Sequence, residues 1–122
     1  MLSKKVFVYG TLKQSNSVRG LNKFPGATFV DQAVTNDATY SLYDLGAFPA
    51  VSIKGQQRIL GEVWEVDDNT FEVLDSIEGY PHFYNRTQVD TSAGKAWMYY
   101  IPGIEQEAGT TQILSESDTV GW

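Results

Sequence analysis

Only one stretch of this chain carries a sustained helical period; the rest breaks into short apolar runs separated by turns. The stretch is FEVLDSIEGYP, residues 71–81. At about 100° per residue, Phe71, Leu74, Ile77 and Val73 are expected to share one side. Asp67, Asp68 and Asn69 supply a helix start with acids in the first turn, where the positive end of the macrodipole favours them. Gly79 suits the position just past the last turn, and Pro81 has no N–H with which to continue. One residue does not fit. Glu78 projects between Phe71 and Leu74, near the edge of the apolar side and at the negative end of the dipole.

With so little helix, most apolar residues have to be buried by strands. Val6-Phe7-Val8-Tyr9 is apolar at successive positions, as expected of a strand covered on both faces in the middle of a sheet. Residues 27–34 and 38–45 read as strands parted by the turn-prone Asn36-Asp37. Residues 48–53 form a short strand beginning at Pro49, and 57–66 another, in which Gly61 marks a bulge or a close backbone approach. Beyond the helix, 83–91 and 96–101 are strands joined by the turn Ser92-Ala93-Gly94. Residues 13–22 read as loop or short helix. The tail from Gly103 is more polar, with Ile113, Leu114, Val120 and Trp122 as its anchors. About seven short strands and one main helix predict an α+β fold. Strands this numerous in so short a chain tend to close into a curled sheet or small β-barrel, with the helix packed beside it.

Composition narrows the function classes. The 122 residues show no repeat, low-complexity run or linker, so residues 1–122 are expected to form one domain. Apolar residues at 42% and charged residues at 20% exclude a disordered chain and a membrane span. The opening MLSKKVFVYG holds too short an apolar run for a signal-peptide core, and a cytoplasmic location is expected. The absence of cysteine excludes disulfides, thiol catalysis and thiolate metal sites. A net charge of −6 argues against a nucleic-acid surface. The first thirty residues nevertheless carry Lys4, Lys5, Lys13, Arg19 and Lys23, while all fifteen acids follow residue 30. This is either an ordinary mixed surface or a place where an anionic group of a small ligand docks.

Three segments could carry chemistry. In VYGTLK a buried strand ends at Tyr9, and Gly10-Thr11-Leu12 can turn successive N–H groups outward to hold a carboxylate or a developing oxyanion. The alternative is an ordinary strand-ending turn. Glu78, if enclosed, has its pKa raised by burial and by the helix C-terminus, which suits a general base near neutral pH. The alternative is a helix-end glutamate that swings into solvent or pairs with Arg86. In HFYNR, residues 82–86, strand alternation puts His82, Tyr84, Arg86 and Gln88 on one face, so Tyr84 and Arg86 could reach one pocket. His82 is the only histidine, which rules out a multi-histidine metal site.

Taken in order, these pieces resemble the γ-glutamylcyclotransferase-like family, which includes γ-glutamylamine cyclotransferases and AIG2-like proteins. The resemblance rests on Tyr9-Gly10-Thr11-Leu12, Phe48-Pro49-Ala50-Val51, Gly61-Glu62-Val63-Trp64-Glu65-Val66, Leu74-Asp75-Ser76-Ile77-Glu78-Gly79-Tyr80 and Tyr84-Asn85-Arg86, and spans residues 6–101. It implies a small mixed β-barrel with a helix beside it. It also implies a substrate pocket lined by Tyr9, Gly10, Thr11 and Leu12, with Tyr84 on the same cavity and Glu78 as the catalytic acid/base. The reaction implied is cleavage of a γ-glutamyl amide by its own α-amine, releasing 5-oxoproline, with a small-molecule γ-glutamyl substrate and no metal or cofactor. The segment Lys13-Gln14-Ser15-Asn16-Ser17 departs from the family pattern in lacking a glycine, which bears on substrate choice. The competing expectation is a non-catalytic binding module that keeps fold and pocket.

Overall fold

A computed structural model describes residues 3–10, 13 and 20–122, so Thr11 and Leu12 of the expected pocket lie outside the described residues, as do Asn16 and Arg19. The described elements are β1 (Ser3–Val8), β2 (Ala27–Val34), β3 (Tyr40–Asp44), β4 (Pro49–Asp67), α1 (Asp68–Glu78), β5 (Asn85–Thr91), β6 (Gly94–Tyr100), β7 (Thr111–Gln112) and β8 (Thr119–Val120). Single 3₁₀ turns lie at Leu21–Lys23 and Ile104–Gln106. The sheet is mixed: β1 runs antiparallel to β4 and parallel to β6, and β5, β6, β1, β4, β3 and β7 lie side by side in that order. Strand β2 pairs with the C-terminal half of β4, and β8 with its middle.

The sheet curls strongly, and the end of β2 meets the end of β5 at one bridge, Thr35 to Thr91. It does not close. "Barrel" is therefore too strong a word, although α+β with one helix against a curled mixed sheet is correct. Among the described residues there are eight strands rather than about seven: two expected strands merge into β4, and β7 and β8 in the polar tail, two residues each and too short to leave a periodic signal, are added. The strands expected at 48–53 and 57–66 are a single strand of 19 residues. Their expected separation survives as a break in pairing: Ser41 faces Ser52 while neighbouring Tyr40 faces Gln57. Among the tail anchors, Val120 is buried and Ile113 packs against the core, whereas Leu114 and Trp122 are exposed. Ile104, not expected, is buried in their stead.

Strand β1 sits between β4 and β6, and its alternation divides the core. Val6 and Val8 join Trp64, Val66, Phe71 and Leu74 beneath the helix, while Phe7 joins Leu42, Val51, Val63 and Met98 on the other face. Close packing over β1 explains Gly61. A Cβ there would lie 2.4 Å from the Val8 carbonyl oxygen and 2.7 Å from the Phe7 ring. Gly61→Ala is expected to lower stability by about 1–3 kcal/mol, the usual range for overpacking, as read from denaturant melts. An unchanged midpoint would mean that β1 and β4 part freely.

Helix α1 starts and stops as its sequence dictates. The Asp67 carboxylate accepts the Thr70 N–H at 2.8 Å, and that bond holds the Asp67 pKa below its usual value. At the other end Gly79 takes φ 68°, and the N–H groups of Gly79 and Tyr80 return to the Ser76 and Asp75 carbonyls. The expected apolar side needs correction. The buried side chains are Thr70, Phe71 and Leu74, while Val73 and Ile77 are exposed. At about 100° per residue, Val73 and Ile77 point about 160° and 120° away from Phe71, whereas Glu78 is only about 20° from it. Glu78 thus lies inside the inward stripe, between Leu74 and Phe71 and about 20° from its Phe71 edge, as expected. Among the described residues no helix is long and apolar enough to cross a membrane.

Candidate functional site

Where β1 ends, the chain leaves the sheet beside the start of β4 and the end of α1. The gap between these elements is a cavity of about 240 Å³. Its described lining is Phe7, Val8, Tyr9 and Gly10 from the end of β1, Phe48 and Pro49 from the start of β4, Ile77 and Glu78 from α1, Phe83 and Tyr84 ahead of β5, and Tyr99 from β6. Tyr9, Gly10, Glu78 and Tyr84 of the sequence expectations therefore face one space. Gly10 sits against Pro49 so tightly that a Cβ would come within 2.8 Å of the proline ring.

The tyrosines are fixed by hydrogen bonds to backbone. The Tyr9 hydroxyl donates to the Tyr99 carbonyl at 2.7 Å and accepts from the Val51 N–H at 3.2 Å. The Tyr84 hydroxyl donates to the Pro49 carbonyl at 2.7 Å. Burial raises both above the ordinary tyrosine value; Tyr84 and then Glu78 push Tyr9 further up, and Glu78 does the same to Tyr84, so both stay neutral near pH 7. They are walls of the cavity with their protons committed.

Glu78 is different. Its own carbonyl accepts the Tyr84 N–H at 3.2 Å, which ties the helix end to the chain leading into β5. Its side chain is largely enclosed, and burial pushes its pKa up from 4.5 to about 7. Among the described lining residues it is the one group able to exchange a proton near neutrality.

Arg86 does not share the cavity with Tyr84. The strand begins only at Asn85, so the alternation expected from His82 onward does not apply, and His82 is exposed. Nor does Arg86 pair with Glu78: its Nε and Nη2 donate to the two carboxylate oxygens of Asp75 at 2.9 and 3.2 Å. The described lysines of the N-terminal third also lie away from the cavity. Lys4 pairs with Asp68 at 2.9 Å, Lys13 donates to the Trp122 carbonyl at 3.2 Å, and no described lysine or arginine lines the cavity.

Sequence reasoning missed Phe48, Ile77, Phe83 and Tyr99 as lining residues. Phe48 and Phe83 meet edge to face at 6.1 Å across the rim, a contact between segments 35 positions apart that no local pattern announces. Tyr99 arrives through the parallel pairing of Phe7 with Met98, which carries the next residue of β6 alongside the end of β1.

Comparison with known proteins gives a consistent result. A family model described as gamma-glutamyl cyclotransferase, AIG2-like, matches residues 6–118. A Vibrio cholerae protein, named provisionally as a γ-glutamylcyclotransferase, is 39% identical over 96% of this chain and 93% of its own length. The gamma-glutamylaminecyclotransferase A of Danio rerio is 38% identical over 69% of this chain and 56% of the relative. The solution structure of YtfP from Escherichia coli superposes with a TM-score of 0.67 and 32% identity, covering 94% of each chain.

Proposed function

The chain belongs to the gamma-glutamyl cyclotransferase, AIG2-like family, and from that premise we propose that it cleaves a γ-glutamyl amide by attack of the substrate's own α-amine, with Glu78 carrying the proton. The observation that carries this reading is the enclosed Glu78 carboxylate, poised near pH 7 on the wall it shares with Tyr9 and Gly10.

The Glu78 carboxylate takes a proton from the α-ammonium group. The freed amine attacks the γ-carbonyl carbon, forming a C–N bond within the molecule and closing a five-membered ring. As the γ-amide C–N bond breaks, Glu78 returns its proton to the departing nitrogen, the ring nitrogen gives up its second hydrogen while the departing amine becomes an ammonium ion, and 5-oxoproline and that ammonium ion result. Nucleophile and electrophile belong to one molecule, so the protein's main task is to fold the substrate into the reactive geometry. Phe48, Ile77, Phe83 and the neutral tyrosines shape the space in which the substrate folds. The Gly10 backbone N–H, on the cavity wall, is the donor for the α-carboxylate or the developing oxyanion.

A panel of γ-glutamyl amides incubated with the protein should yield 5-oxoproline and the matching amine in equal amounts. With the best substrate, kcat/KM should fall about tenfold per pH unit below about pH 7, because protonated Glu78 cannot accept the α-ammonium proton. A profile flat between about pH 5 and 7 would remove Glu78 as the base.

A further inference from the structure

The last turn of α1 carries the proposed catalytic group, yet no apolar side chain anchors it. Leu74 is the final buried residue of the helix, and Ile77 is exposed. What fixes this turn is polar. Asp75, one turn before Glu78 on the inward stripe, uses both carboxylate oxygens: Oδ1 accepts Arg86 Nε–H at 2.9 Å and the Tyr99 hydroxyl at 2.7 Å, and Oδ2 accepts Arg86 Nη2–H at 3.2 Å. The Arg86 guanidinium is stacked among aromatic rings, 4.1 Å from the centroid of Tyr80, 4.6 Å from Phe71 and 4.7 Å from Trp97. Phe71 belongs to the first turns of α1, Tyr80 follows its cap and Trp97 lies on β6, so one side chain of β5 grips the helix at both ends. The set continues into the cavity wall, because the Tyr99 carbonyl is the acceptor for the Tyr9 hydroxyl.

Resting on the function proposed above, we propose that Asp75, Arg86 and Tyr99 are positioning residues that hold Glu78 over the cavity and keep it from swinging into solvent. A bidentate guanidinium–carboxylate pair fixes angle as well as distance, which a greasy contact does not. It also keeps the nearby cation occupied, so that Arg86 does not hold Glu78 in its charged form. The groups that feel the Glu78 charge are then the neutral hydroxyls of Tyr9, Tyr84 and Tyr99, while Asp75 and Arg86 pair with each other.

Two variants of the full chain test this. Arg86→Lys keeps a cation among the rings but loses the fork, and Tyr99→Phe removes only the hydroxyl that reaches Asp75. In both, carbon-13 NMR of the Glu78 carboxyl should show its pKa falling from about 7 toward 4.5 as the side chain gains solvent. At a temperature where each variant is folded by circular dichroism, kcat should drop about tenfold or more while KM stays within about threefold. The NMR readout does not depend on turnover, so a wild-type protein inactive on every γ-glutamyl compound would refute the function and leave the positioning role standing if the titration still moved. Folded variants with an unmoved Glu78 titration and wild-type kcat would overturn the proposal and reduce the trio to a support for stability.

Discussion

Glu78→Gln is expected to lower turnover of the best γ-glutamyl substrate by about 10²–10⁴-fold, the usual contribution of a general acid–base group. The amide keeps the shape of the side chain and cannot accept a proton from the α-ammonium group. Stability should move the other way. A carboxyl raised from 4.5 to about 7 is more easily protonated in the folded state than in the unfolded one. The fold therefore retains its full stability below about pH 4.5 and loses some as pH rises through about 7, on the order of 3 kcal/mol once Glu78 is fully charged. The glutamine variant avoids that loss. Its melting temperature should equal the wild-type value near pH 4 and exceed it near pH 8. A variant with intact turnover and lowered stability would instead describe a structural carboxylate.

Leu74→Ala should produce the largest loss of stability, about 2–5 kcal/mol. Leu74 is fully buried beside Phe71, Val6 and Val8 and is the last apolar contact of α1 with the sheet. Its truncation leaves a cavity that the strands around it cannot readily fill, because β1 is held on both sides by β4 and β6. Against the 5–15 kcal/mol typical of a domain, the loss should lower the melting temperature by about 10 °C or more. A shift of only a few degrees would show that the helix is held chiefly by its polar contacts. Together the two substitutions separate chemistry from architecture, since one removes activity and spares the fold while the other weakens the fold itself.

Much of this was legible in the chain because the signals are local. Asp67 and Gly79 bracket the helix through bonds to residues within four positions of themselves, so their roles can be read from spacing alone. The apolar run Val6-Phe7-Val8 announces a strand covered on both faces, and the single glycine of the 57–66 run marks the place where β4 touches β1. What stayed hidden depends on contacts distant in sequence. Arg86 reads as a pocket residue beside Tyr84 or as a partner for Glu78 until β5 folds against α1 and brings it to Asp75. Tyr99 reads as a strand residue like its neighbour Tyr100 until parallel pairing with β1 puts it on the cavity. The apolar residues Val73 and Ile77 mislead for another reason: hydrophobicity suggested the inward face, whereas helical phase relative to Phe71 and Leu74 decides it, and phase points Glu78 inward in their place.

The central claim is that the amide is broken by the substrate's own amine and not by water. Product analysis in water enriched in oxygen-18 tests it most directly. The wild-type protein, given its best γ-glutamyl amide, should release 5-oxoproline free of the heavy isotope together with one equivalent of amine, and Glu78→Gln should release almost none. Glutamate carrying oxygen-18 as the main product would contradict the account, because it would place a water molecule where the α-amine should be.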